Sequence, residues 1–255
     1  MDAGRSSQAS VVAFLVTLAV GVLTVAGSSE AVTATVDARF SPERLGAPTV
    51  VTMGFAVATP DGQIPPPLTS MEFRYPANLG IITSGLGVAT CDPTLLETSG
   101  PAACPTNSVM GYGSAAVQVP YGGEVVPETA NIVLVAGPSE AGYVRLLVSA
   151  TGLTPVAARI VMPTLLIAGR LRISVPLVPS LPEGPDLSVV SAHVALGGRL
   201  TYHERVAGRV VAYHPKGVVL PKRCPQGGFR FSAVLDFLDG QKAEAQTAVA
   251  CPRRR

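Results

Sequence analysis

The chain has 255 residues and a formal charge of +2; 14% of its side chains are charged and 47% are apolar. The final Arg253-Arg254-Arg255 supplies more than the whole net charge, so the body is near neutral, which argues against the concentrated basic surface of a nucleic-acid binder. With 26 Gly and 23 Pro, low charge and abundant Val, the composition is that of a strand-and-turn protein.

The chain opens with an uncharged run from Val11 to Ala26, preceded by Arg5 and followed by small residues. That pattern predicts a secretory signal peptide over residues 1–31, cut after Ser29-Glu30-Ala31 so that Val32 begins the mature chain. The alternative is an uncleaved anchor, because the run lies between an h-region and a span in length. Membrane attachment is expected by that route alone. Residues 32–252 are then expected to form one exported β domain, and residues 253–255 a solvated basic tail.

VTATVDARFSP and TVVTMGFAVATPDG alternate β-branched with other residues and end at turn signals, as strands do. In IPPPLTSMEFRYP, Met71, Phe73 and Tyr75 fall on one face of a strand and Ser70, Glu72 and Arg74 on the other. Further strand candidates are SAAVQVP, NIVLVAG, YVRLLVSA, ARIVMP, LRISVPLV, LSVVSAHVAL, RLTYHERV and RVVAYH. About a dozen short strands between Gly/Pro turns predict an all-β fold, an antiparallel β-sandwich with Greek-key-like connections.

One short helix is expected near residues 92–99. Asp92 suits its N-cap, Pro93 its first position and Gly100 its stop. The Pro-rich VPLVPSLPEGPDLS (175–188) reads either as a boundary, with a subdivision near 176–187, or as a crossover between the sheets of one sandwich.

Four cysteines, Cys91, Cys104, Cys224 and Cys251, allow three disulfide pairings that sequence alone does not separate. Locality favours Cys91–Cys104 around the helix and Cys224–Cys251 around a C-terminal hairpin. A four-cysteine metal site is disfavoured, since no Cys-x-x-Cys spacing occurs and export implies an oxidising compartment. In the hairpin, Phe229, Phe231, Val234 and Phe237 precede the Asp239-Gly240 turn, and the break in parity after Phe231 predicts a bulge or a change of face.

Catalytic signatures are missing. Neither TSGLG nor GYGSAA matches a nucleophile elbow, and GYGSAA lacks the third glycine of a dinucleotide fingerprint. No cofactor or metal is expected. His193, His203 and His214 are too widely spaced for a ligand motif, and Glu204 lacks the facing carboxylate that glycoside hydrolysis requires. Asp236 and Asp239 are assigned to the hairpin and its turn.

YPANLG, TSGLGVATCDP, CPTNSVMGYGSAAVQVP, YHPKGVVLPKRCPQGGFRF and the closing AVACP together resemble a group of uncharacterised exported proteins of high-GC soil actinobacteria. The resemblance covers most of the mature region and includes all four cysteines. It implies export and agrees with disulfide pairing, and it carries no activity or functional residue with it. The expected protein is secreted or at the cell surface, and its partner is an extracellular or envelope ligand. A non-enzymatic binding or structural module is the first expectation and an extracellular carrier of an apolar small molecule the second. A hydrolase without a recognisable motif is the third.

Overall fold

The computed structural model describes residues 31–81, 89–167, 169–197, 201–214 and 217–252. The expected signal segment up to residue 30, the basic tail 253–255 and most of TSGLGVATCDP lie outside the described residues.

The described residues form fifteen strands: β1 (Thr33–Ser41), β2 (Pro48–Ala58), β3 (Leu68–Arg74), β4 (Gly80–Ile81), β5 (Val109–Tyr121), β6 (Glu124–Glu140), β7 (Tyr143–Thr151), β8 (Arg159–Leu166), β9 (Arg170–Ser174), β10 (Ser188–Gly197), β11 (Tyr202–Val206), β12 (Arg209–Tyr213), β13 (Val218–Val219), β14 (Phe229–Phe237) and β15 (Lys242–Val249). All pair antiparallel. The larger sheet runs β4-β13-β2-β10-β5-β6-β7-β8, with β1 also on β2, and the smaller runs β15-β14-β3-β9. β5 to β8 form a meander. The chain then crosses to β9 in the other sheet and returns as β10 beside β5, which is the Greek-key order.

Two sheets form because alternation gives each strand one apolar face to bury. Phe40 of β1 meets Phe229 of β14 edge-on at 5.1 Å, and Phe55 of β2 meets Phe73 of β3 at 6.0 Å. The sheets are also tied at their edges. The Val32 N–H donates to Gln241 Oε1 at 3.1 Å on one side. On the other, the tight turn from β8 into β9 is closed by Thr164, whose hydroxyl donates to the Arg172 carbonyl.

The helix α1 (Pro93–Ser99) starts and stops on the expected residues. Asp92 Oδ1 accepts from the Leu95 N–H at 3.0 Å, and the Gly100 N–H, at φ 81°, donates to the Leu96 carbonyl. Two turns are too short to persist alone. Leu96 is therefore buried against Val135 and Leu147 on the outer face of the larger sheet, beside the Cys91–Cys104 disulfide. The second disulfide, Cys224–Cys251, spans 5.9 Å between Cα atoms just outside the β14–β15 hairpin.

Two details differ from the sequence reading. β14 keeps one parity throughout: Phe229, Phe231, Ala233, Leu235 and Phe237 are buried, and Val234 points the other way. The expected slip after Phe231 is absent because Ala233, paired with Phe73, takes the inward position that the sequence reading gave to Val234. The pairing with β3 shifts later, between Asp236 and Phe237. β5 and β6 are also longer than expected, at 13 and 17 residues, and β6 carries Pro127 within it. The Pro-rich stretch takes the crossover form. It joins β9 to β10, folded back on itself by Leu187 N–H to Val178 carbonyl and Ser180 N–H to Pro185 carbonyl bonds.

Candidate functional site

The inward faces of the two sheets do not fill the space between them. A cavity of about 190 Å³ remains, lined from the larger sheet by Phe55, Val117, Ile132, Leu146, Val148 and Met162, and from the smaller by Met71, Phe73, Leu171, Ile173 and Phe231. The alternation that builds the sandwich therefore also builds the lining. Small residues on the same faces, Ala115, Ala130, Ala150 and Ala192, leave the room that larger ones would occupy.

The cavity opens where two connections meet. Val156 and Ala158 line it from the β7–β8 loop, and Pro176, Leu177 and Val178 from the Pro-rich crossover. Leu177 is 42% exposed while also lining the cavity, which marks the mouth.

Among the described residues Glu128 of β6 is the only carboxylate in this lining, and it is 6% exposed. Its Oε1 accepts from the Thr154 N–H at 3.1 Å and its Oε2 from the Val156 N–H at 3.2 Å, so it holds the β7–β8 loop at the mouth. Gly152 makes this approach possible, since a β-carbon there would stand 2.5 Å from Oε1. At the opposite end Tyr75 donates its hydroxyl to the Ile167 carbonyl at 2.6 Å, and burial pushes its phenol above the usual range.

The titratable residues singled out from sequence do not converge. His193 lies on the outer face of the larger sheet, its Nε2 3.0 Å from Asp37 Oδ1, with both side chains about half exposed. Ser114 is its register partner on β5, but the imidazole lies over Gly54, on the side away from β5, and no hydrogen bond joins the two. His203 and Glu204 sit on β11, and His214 follows β12 within hydrogen-bond distance of Thr201. Among the described residues no group of three or more His, Cys, Asp or Glu side chains could hold a metal ion. Asp236 and Asp239 serve the hairpin: Asp236 accepts from Ser70 and pairs with Lys242, and Asp239 accepts from the Gln241 N–H.

Sequence reasoning missed Glu128 because it follows Pro127 in a polar-looking stretch, PETAN, that does not read as a strand. A signal was present in the alternation Glu128, Ala130, Ile132, Leu134, which places the carboxylate on the same face as the core. Comparison of the chain with protein-family models, with curated proteins and with solved structures found no match.

Proposed function

We propose that the protein is an exported binding protein that carries a small apolar molecule between its two sheets. The carrying observation is the cavity. Protein interiors pack as densely as organic crystals, and an empty apolar void costs roughly 24 cal/mol per Å³. A space of about 190 Å³ left unfilled between apolar walls therefore works against stability, and an apolar occupant would offset that cost. An apolar cavity of about 150 Å³ accepts benzene, so this one has room for a single ring or a short aliphatic chain. Longer chains would reach out past Leu177. Two disulfides fit an oxidising compartment, and the signal-like N-terminus and the resemblance to exported proteins support secretion.

Titration calorimetry with toluene tests this reading. The wild-type chain is expected to bind it saturably. Ala130→Leu, which extends a side chain into the cavity, should weaken binding by about tenfold or more while the fold is retained. If overpacking unfolds that variant, Ala150→Val makes the same test with less added volume. No saturable binding by the wild type, or unchanged affinity in a folded variant, would overturn it.

A structural or protein-binding module of the cell envelope is the second reading. It is favoured by the β11–β12 hairpin, where Val206, Val210 and Val211 are exposed. A lone two-stranded hairpin is marginal in water, so such an arm gains from a partner.

A further inference from the structure

We infer that the carried molecule bears a hydrogen-bond donor, an amine or alcohol, that docks on Glu128; this rests on the cavity reading above. Four observations carry it. Glu128 is the only carboxylate among the described residues of the lining, and it stands beside Gly152 and Val156 at the mouth. It is nine-tenths buried. Its two hydrogen bonds, from the Thr154 and Val156 N–H groups, use one site on each oxygen, where a carboxylate offers about four in all. No Lys, Arg or His among the described residues pairs with it, as the four ion pairs lie elsewhere.

A carboxylate buried against apolar walls without a cation is costly, and it repels a second anion. The two loop N–H groups engage one oxygen each, which a neutral Gln or Asn with its single acceptor oxygen could not match, and each oxygen keeps a further lone pair. A donor arriving from the cavity side would occupy those remaining lone pairs. The apolar body then lies among the sheet side chains, and its polar end faces the mouth. Fatty acids and other anions are excluded by the same carboxylate.

Four single-ring probes of matched size separate the possibilities by calorimetry: toluene, benzyl alcohol, benzylamine and benzoate. Wild-type protein should prefer benzylamine and benzyl alcohol to toluene by about tenfold or more, as a charge-assisted bond allows, and should bind benzoate most weakly. In Glu128→Gln the preference should collapse while toluene affinity stays within about threefold, since the sheet side chains that form most of the lining are unchanged and one loop N–H keeps its acceptor. If that variant does not fold, Glu128→Asp withdraws the carboxylate by one methylene and should reduce the preference in the same direction. Equal affinities, a preference for benzoate, or a preference that survives in Glu128→Gln would overturn the inference and leave the cavity reading standing. A uniform loss across all four probes would assign Glu128 to loop positioning alone. Failure of toluene itself to bind the wild type would remove the cavity reading, and this inference with it.

Discussion

Phe229 is fully buried and stacks edge-on against Phe40 across the sandwich, so its ring is one of the contacts that holds the sheets together. Phe229→Ala should cost about 3–5 kcal/mol, visible as a lowered midpoint in urea with the slope unchanged. Asp236 makes a different contribution. Lys242, then Ser70, hold its carboxyl below the ordinary range. A depressed carboxylate stabilises the fold above its unfolded value, near pH 3.9, and that stability is lost as pH falls through the folded value. Asp236→Asn should therefore lower the melting temperature at neutral pH by about 2–4 °C, on the order of 1 kcal/mol for a partly exposed pair. The difference should close as melts are repeated toward pH 3. A constant gap down to that pH would dissociate Asp236 from this effect. Single residues were also where the sequence was hardest to read. Ala233 carries no apolar signal of its own, so the inward parity of β14 passed to Val234. Glu128 looked like surface because charge is usually solvated.

At the scale of elements the reading was more secure, because period-two alternation and turn chemistry are local properties. β1, β2, β3 and β10 lie where their alternation placed them, and α1 begins after Asp92 and ends at Gly100 for the expected reasons. Strand pairing was not legible, since β2 meets β10 about 140 residues later in the chain, and no local pattern encodes that choice. The β14–β15 hairpin, closed by a disulfide just outside it, is an element whose stability follows from its chain length. The Cys224–Cys251 bridge closes a separation of 27 residues, for which the chain-entropy account gives about 3–4 kcal/mol. Replacing both cysteines by Ser should lower the melting temperature by about 6–15 °C. An unchanged midpoint would show that the β14–β15 pairing needs no covalent support. The α1 cap is smaller in effect: Asp92→Ala should cost about 1 kcal/mol, and the Cys91–Cys104 bridge should keep the helix in place.

For the whole molecule, the all-β class and the antiparallel sandwich were accessible from composition and spacing, and of the three open cysteine pairings the one that locality favoured is the one present. The cavity was not. A core and a cavity use the same apolar residues, and only the sum of side-chain volumes across two facing sheets decides between them. Four inward alanines tip that sum, on strands whose mutual positions the sequence does not reveal. Occupancy of the space should then govern stability. A ligand at a hundred times its dissociation constant adds about 2.7 kcal/mol, which should raise the melting temperature by about 5–10 °C, and tenfold weaker binding in Ala130→Leu should cut that rise to about half or less. The most direct measurement is an intact-mass spectrum of the protein purified from its own cells or their medium, taken first under native and then under denaturing conditions. The account predicts a chain four hydrogens light from its two disulfides, carrying a small organic mass that is lost when the fold is lost. The same bare chain under both conditions would contradict it.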